Sequence, residues 1–207
     1  VMNAIGAESI IPPIPGVDKA FVKDSHDVLD GKAEATGNVV VIGGGMVGME
    51  TAEYLAEKGA KVSVLEMLPD ICSDMGTTRK ICMGEEIQKS GIIPVTSVKV
   101  TEIGDNVVIG EKDGEKVEFP CDTAVLAIGA KKRDGSALAE TCYKNGIGYF
   151  EIGDAAMARR AINATREAMD AALTFDSEDV HRYVSKPKKL VFITGASGMM
   201  GGQTLKQ

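Results

Sequence analysis

Hydrophobic and polar positions in the first third of the chain predict a strand, a helix and a second strand in succession. Val39–Ile42 is a short apolar run, which is typical of a parallel strand buried on both faces. Apolar residues then recur with a helical period over Met46–Lys58, and Gly59 is a helix terminator. Lys61–Leu65 again has the composition of a buried strand. This order of elements indicates an α/β fold built on a parallel sheet.

A glycine-rich turn connects the first strand to the helix. Gly43, Gly45 and Gly48 form the pattern G-x-G-x-x-G. In such a motif the first glycine permits the turn, the second lets a pyrophosphate approach the backbone, and the third lets the helix pack close to the strand. The phosphate then accepts hydrogen bonds from unpaired N–H groups at the positive end of the helix. The candidate cofactor-binding residues of this turn are Gly43, Gly44, Gly45, Met46, Val47 and Gly48.

An acidic residue stands at the end of the second strand. Glu66 lies 18 residues after Gly48, and its carboxylate can accept hydrogen bonds from the 2′- and 3′-hydroxyls of an adenosine ribose. A 2′-phosphate at the same place would meet a like charge. Because Met67 rather than an arginine follows Glu66, we expect this site to prefer NADH to NADPH. The glycine pattern alone also fits an ordinary turn, but the flanking strands, helix and acid together predict dinucleotide binding.

The central part of the chain predicts a change of architecture. Apolar spacing indicates a helix over Met75–Ser90. Apolar and polar residues then alternate between turn signals, which predicts a three-stranded antiparallel excursion. The largely apolar strand Cys121–Ala130 follows this excursion. The three antiparallel strands are predicted at Ile92–Ile103, Asn106–Glu111 and Lys116–Phe119.

The same four residues occur near both ends of this region. Ala4-Ile5-Gly6-Ala7 precedes a proline-rich extended connection, and Ala127-Ile128-Gly129-Ala130 ends the last strand. The repeat predicts two sheets that end in similar turns. Gly129 is also among the candidate cofactor-binding residues. A short helix is predicted before Gly31.

The C-terminal part contains two further glycine features. Gly148–Asp154 predicts a strand ending in Gly153-Asp154, and a helix is predicted over Ala155–Leu173. This unit can present Asp154 to a ribityl hydroxyl and its helix N-terminus to a phosphate, although Gly-Asp also fits a simple turn. Residues 177–189 are charged and predict an interdomain linker. Residues 190–207 begin with an apolar strand and a G-x-x-G-x-x-G pattern, which predicts the truncated start of a second nucleotide-binding domain.

Composition excludes several classes of function. The 207-residue chain has 23 Lys and Arg against 30 Asp and Glu, a net charge of −7 without a basic block, so a nucleic-acid partner is not expected. No apolar run reaches the roughly 18 to 20 residues of a membrane span.

No C-x-x-C pair is present for a redox dithiol or an iron–sulfur cluster, so we expect buried thiols in a reducing, cytoplasmic compartment. Because the chain begins with Val1 and has no charged n-region, we expect no signal peptide and a missing upstream portion.

The order of these segments resembles the pyridine nucleotide-disulfide oxidoreductase superfamily, the flavoproteins with two dinucleotide-binding domains. The resemblance rests on the glycine unit Gly43–Ala52, the second Ala-Ile-Gly-Ala, and Ile152-Gly153-Asp154. Tyr149–Ala164 and the missing C-x-x-C are most similar to the C-terminal part of the old-yellow-enzyme relatives. These are 2-enoate reductase, 2,4-dienoyl-CoA reductase and NADH:flavin oxidoreductase, and the resemblance covers residues 1 to about 176.

The resemblance implies a Rossmann-like parallel sheet with an inserted antiparallel β-meander, flanked by partial FAD-domain segments. Residues 1–31 would be an FAD-domain remnant and connection, 32–130 the NAD(H)-binding domain, and 131–176 the returning FAD-domain segment. Gly153 and Asp154 would match the FAD ribityl position. An N-terminal barrel carrying FMN and an iron–sulfur cluster would lie upstream, and hydride would enter at FAD before electrons pass to FMN and an enoate double bond.

The sequence therefore predicts the NADH-binding portion of an enoate-reductase-like flavoenzyme, which passes hydride from NADH to flavin. No side chain is a candidate acid, base or nucleophile, so the isolated chain is expected to bind nucleotide without turnover. Two alternatives remain open. A disulfide-reductase-type flavoenzyme would need a redox-active cysteine of low pKa, and a non-catalytic nucleotide-binding module would need only the first glycine pattern.

Overall fold

The computed structural model describes residues 1–73 and 77–174. The described chain divides into two compact units: a larger one, residues 7–131, and a smaller one formed by Val1–Gly6 with the described residues from Lys132 onward. Residues 7–31 lie in the larger unit. The resemblance grouped them with a remnant of an FAD domain, and that assignment stays a prediction. The predicted linker at 177–189 and the glycine pattern within 190–207 lie outside the described residues.

Strands and helices alternate along much of the described chain. The strands are β1 (Met2–Asn3), β2 (Ala7–Ser9), β3 (Val22–Asp24), β4 (Asn38–Ile42), β5 (Lys61–Leu65), β6 (Ile93–Val95), β7 (Lys99–Ile103), β8 (Val107–Lys112), β9 (Glu115–Pro120), β10 (Thr123–Leu126), β11 (Ala130–Lys132) and β12 (Phe150–Glu151). The helices are α1 (Ser25–Leu29), α2 (Met46–Glu57), α3 (Thr77–Ser90), α4 (Ser136–Lys144) and α5 (Ala161–Thr174).

The larger unit is organised around a five-stranded sheet in the order β3-β10-β4-β5-β6, and every neighbouring pair is parallel. Strand β4 is central and buried on both faces. Val39 and Val41 pack in one apolar cluster with Met49 and Leu55 of α2. Val40 and Ile42 pack in a second cluster with residues of β7 and β8. The predicted strand, helix and second strand are confirmed, because α2 covers one face of β4 and the antiparallel strands cover the other.

The antiparallel meander is also confirmed, with one correction. Strands β7, β8 and β9 form a three-stranded antiparallel sheet. The prediction of a single strand over Ile92–Ile103 is wrong, because Ile93–Val95 pairs in parallel with β5 and only Lys99–Ile103 belongs to the meander. Ser97 separates the two strands with a φ of +58°, and its amide donates to the carbonyl oxygen of Leu68. A left-handed residue between the two strands ends the extended run there.

The smaller unit contains the parallel pair β1 and β12, in which Met2 lies beside Phe150 and Asn3 beside Glu151. The helix predicted from Ala155 begins later, at Ala161, and Gly153–Ala155 forms a short 3₁₀ turn. The carboxylate of Asp154 accepts a hydrogen bond from the Arg159 amide, with a separation of 3.2 Å. Such a local bond from side chain to backbone competes with the helical hydrogen-bond pattern, so the helix starts after it.

The two Ala-Ile-Gly-Ala segments follow strands of two different sheets, β1 in the smaller unit and β10 in the larger, as the repeat predicted. Their glycines share a left-handed backbone, with φ of +78° at Gly6 and +108° at Gly129. The last alanine of each segment begins a strand, and these strands, β2 and β11, pair with each other. The predicted short helix before Gly31 is α1. In the parts of the chain described, no helix is both long and apolar enough to cross a lipid bilayer.

Candidate functional site

A cleft of about 600 Å³ opens at the carboxyl ends of β4, β5 and β10. In parallel α/β sheets this edge is the usual place for ligands, because loops and helix N-termini converge there. The cleft brings together most of the predicted site residues, which lie in the larger unit. Those that line it are Gly43, Gly45, Met46, Val47, Glu66, Met67 and Gly129.

Two glycines of the turn are required by the backbone that surrounds them. Gly43 has a φ of +111°, and a Cβ there would lie 2.4 Å from the carbonyl oxygen of Ala127. A Cβ on Gly48 would lie 1.9 Å from the carbonyl oxygen of Gly43. Any side chain at either position would therefore push helix α2 or strand β10 away from the turn. The sequence assigns the turn itself to the first glycine and the close packing of the helix to the third.

Gly45 occupies a different environment. A Cβ at this position would meet no heavy atom within 4 Å, and its φ of −74° is accessible to every residue type. The free space lies in front of the first turn of α2, where Gly45 is the N-cap residue. The backbone N–H groups of that turn have no partner within the helix, and the turn, which is fully described, contains no acidic residue. The site is thus shaped and polarised to receive an anionic group.

Glu66 makes contacts that the sequence did not predict. Its Oε2 accepts a hydrogen bond from the Gly44 amide, with 2.7 Å between the two atoms, and its Oε1 accepts one from the Leu68 amide at 2.7 Å. A carboxylate has about four acceptor positions, so each oxygen retains capacity for a ribose hydroxyl. The predicted contact with ribose is therefore compatible with the structure.

The remaining walls of the cleft are mostly apolar. Ile14, Val98 and Val100 contribute aliphatic side chains, and Lys99 lies beside them. Apolar walls with a few polar groups suit the flat rings of a nucleotide, whereas the pyrophosphate requires the backbone donors of the glycine turn. The residues of this cleft therefore have the chemistry that binding of a nucleotide and its pyrophosphate requires.

Gly153 and Asp154, the remaining predicted site residues, lie in the smaller unit. The Gly153 amide donates to Oε2 of Glu167 over 2.8 Å, and Oε1 of Glu167 is paired with Nη2 of Arg159. Glu167 thus holds the Gly153–Asp154 turn against helix α5. Sequence reasoning missed this residue because nothing in its local pattern distinguishes it from the other charged residues of an exposed helix.

The side chains of the described cysteines, Cys72, Cys121 and Cys142, are buried and form no disulfide bond with one another. Burial raises the pKa of the Cys121 thiol to about 11, and the neighbouring charge of Asp122 acts in the same direction. A thiol with this pKa carries almost no thiolate at neutral pH, so it is a poor nucleophile.

We therefore expect the described thiols to be unreactive in the folded protein. In a Cys82→Ser background, which leaves these three cysteines, a disulfide reagent at neutral pH should react at least about tenfold more slowly with native than with denatured protein. The absorbance of the released thiolate measures the rate. A thiol that reacts as fast in the native state as in denaturant would contradict the inference and would favour disulfide-reductase chemistry.

A parallel sheet whose central strand ends in this glycine turn, with an acid at the end of the adjacent strand, defines the class of dinucleotide-binding α/β domains. The family model described as pyridine nucleotide-disulphide oxidoreductase matches residues 1–172. The chain therefore belongs to the pyridine nucleotide-disulphide oxidoreductase family, a family of flavin-dependent NAD(P)H oxidoreductases. Membership implies FAD and NAD(P)H as cofactors, and the glycine turn fits the second of these.

Similar proteins include larger reductases and oxidases. An NADH oxidase of Thermoanaerobacter brockii is 41% identical over 177 residues, which cover 83% of this chain and 27% of the relative. A bilirubin reductase of Mediterraneibacter gnavus is 44% identical over 131 residues, 63% of this chain and 20% of the relative. The solved complex of a 2-naphthoyl-CoA reductase with 2-naphthoyl-CoA has a TM-score of 0.74 and 32% identity, covering 80% of this chain and 25% of that one. The chain thus spans between 20% and 27% of the length of the two curated relatives.

Proposed function

We propose that this chain is the NADH-binding portion of a flavin-dependent oxidoreductase, in which NADH passes its hydride to a flavin. The observation that carries the proposal is the free space in front of Gly45, at the N-terminus of α2 and beside Glu66. A pyrophosphate in that space would accept hydrogen bonds from the backbone of the turn, and the adenosine ribose would lie against the Glu66 carboxylate.

The proposed division of labour leaves the redox chemistry to the cofactors. Nicotinamide supplies a hydride from C4 and flavin accepts it at N5, while the protein supplies binding and orientation. Gly43 and Gly48 keep the turn close to the helix, and Gly45 leaves room for the pyrophosphate. Met46 and Val47 contribute amides of the first helical turn, and Met67 and Gly129 form the walls beside the nucleotide.

Glu66 also supports a preference for NADH. The amides of Gly44 and Leu68 hold the Glu66 carboxylate in place. A 2′-phosphate on the adenosine ribose would therefore bring a second negative charge close to the first, and the two would repel each other. Met67, the next residue, offers no positive charge to compensate. NADPH is therefore proposed to bind more weakly than NADH.

We propose further that the intact protein is an enoate-reductase-like enzyme of the cytoplasm. FAD would bind the smaller unit, with Gly153 and Asp154 at its ribityl chain, and an upstream barrel would carry FMN and an iron–sulfur cluster. The similarity of Tyr149–Ala164 to the old-yellow-enzyme relatives supports this assignment. The similarity to a 2-naphthoyl-CoA reductase and to a bilirubin reductase also favours reduction of an unsaturated organic substrate.

Titration of the 207-residue chain with NADH, NADPH and FAD tests the proposal. We expect NADH to bind with a Kd at least about tenfold below that of NADPH, a difference of roughly 1.4 kcal/mol. NADH oxidation in the presence of added FAD is expected not to exceed the rate without protein. Calorimetry measures the Kd values, and the near-ultraviolet absorbance of reduced nicotinamide measures the oxidation of NADH. Absence of NADH binding would refute the proposed function.

A further inference from the structure

We propose that Glu66 is a positioning residue for the glycine turn as well as a ribose ligand. Its carboxylate holds the Gly44 peptide in the orientation that receives a pyrophosphate before any nucleotide is present. The effect of Glu66 on nucleotide binding rests on the proposed function. The two hydrogen bonds themselves are present in the protein without a nucleotide. Glu66 would therefore act on two parts of the ligand, on the ribose directly and on the pyrophosphate through Gly44.

The two hydrogen bonds of the carboxylate reach two different loops. Oε2 accepts from the Gly44 amide in the glycine turn, and Oε1 accepts from the Leu68 amide in the segment after β5, each at 2.7 Å. Hydrogen bonds to an ionised acceptor are shorter and roughly twice as strong as neutral ones. A single side chain thus links the turn that would bind pyrophosphate to the segment that would border the adenosine.

Gly44 is held on its other side as well. Its carbonyl oxygen accepts from the Cys72 amide at 2.8 Å, and the preceding amide, that of Gly43, donates to the Leu65 carbonyl at 2.8 Å. A Cβ on Gly44 would lie 2.9 Å from Cβ of Glu66 and 3.0 Å from Cγ2 of Ile71. The Gly44 peptide is therefore enclosed by the end of β5 and the segment that follows it.

Glu66 is itself fixed by the sheet. Its amide donates to the Val95 carbonyl and its carbonyl accepts from the Val98 amide, each at 2.9 Å. The carboxylate therefore projects from a backbone that both neighbouring segments anchor. Because Gly45 directly follows Gly44, fixing the Gly44 peptide also fixes the position of the helix N-cap. A site that is already in its binding geometry avoids the cost of ordering when the ligand arrives.

Two nucleotides separate the positioning role from the ribose contact: ADP, and 2′,3′-dideoxy-ADP, which keeps the pyrophosphate and lacks both hydroxyls. Glu66→Gln preserves the size of the side chain but offers one acceptor oxygen, so one of the two amides must lose its partner. We expect this variant to bind dideoxy-ADP about tenfold more weakly than the wild type does. Glu57→Gln, the same change at an exposed position of the larger unit, should leave the Kd unchanged. Weakened ADP binding with unchanged dideoxy-ADP binding would overturn the positioning role.

A second measurement needs no ligand. Amide hydrogen exchange at Gly44 or Leu68 should become at least about tenfold faster in Glu66→Gln than in the wild type, and should not change in Glu57→Gln. If the wild type binds no NADH, the proposed function fails, and the exchange rates alone test the role of the two hydrogen bonds. Unchanged exchange at both amides would overturn the inference whatever the nucleotides do.

Discussion

Replacing Gly45 with alanine is expected to weaken NADH binding by about 100-fold, or roughly 2.7 kcal/mol, while the protein stays folded. In the free protein a Cβ at this position meets no heavy atom within 4 Å, and the φ of −74° suits alanine. Alanine is a poorer N-cap than glycine, so a stability loss of less than about 1 kcal/mol is expected. The methyl group would occupy the space that the pyrophosphate needs. Calorimetric titration gives the Kd, and thermal unfolding gives the stability.

Gly48→Val is the matched variant within the same motif. A Cβ there lies 1.9 Å from the Gly43 carbonyl oxygen, so the larger side chain must separate α2 from the turn. We expect a loss of about 3 kcal/mol or more in the free energy of unfolding, in contrast to Gly45→Ala. If Gly45→Ala bound NADH as tightly as the wild type, the turn would not be the site of the pyrophosphate.

Glu66→Arg should reverse the preference between NADH and NADPH. The change removes the acceptor for the ribose hydroxyls and the charge that repels a 2′-phosphate, and it adds a guanidinium that can pair with that phosphate. We expect the ratio of the two Kd values to change by about 100-fold in favour of NADPH. Both nucleotides share the same pyrophosphate, so any distortion of the glycine turn affects both, and the ratio reports the ribose contact alone.

Glu57→Arg is the control for this substitution, because it makes the same change of charge at an exposed position of the same unit. Its Kd ratio should match that of the wild type in titrations with both nucleotides. An unchanged ratio in Glu66→Arg would remove Glu66 from contact with the adenosine ribose. The positioning role would then depend on the exchange and dideoxy-ADP measurements.

The parts of the fold that could be predicted from sequence are those with a strong local pattern. Val39–Ile42 is apolar at every position because both faces of β4 are covered, and this is visible without tertiary information. The glycine turn could also be predicted from sequence. A Cβ at Gly43 or Gly48 would collide with a backbone carbonyl oxygen, so the turn requires glycine at both positions. The cleft at the end of β4 follows from these two features and the direction of a parallel sheet.

The errors fall where tertiary contacts decide the structure. Ile93–Val95 continues the alternating pattern of the meander, and only its pairing with β5 assigns it to the parallel sheet. Strand β3 was not predicted, because its three residues, Val-Lys-Asp, carry no clear local pattern and its pairing with β10 depends on tertiary contacts. The contacts of Glu66 with Gly44 and Leu68 were equally inaccessible, since they depend on how two loops approach each other.

Pairing of β2 with β11 places the beginning and the end of the larger unit side by side. A module whose chain enters and leaves at adjacent positions can be transferred between host proteins without stretching either connection, since the host needs only a short gap in one surface loop. Two protein-engineering experiments therefore become practical. Residues 7–131 can be inserted into a surface loop of an unrelated protein to add the nucleotide site, or the two neighbouring ends can be joined and the chain opened elsewhere.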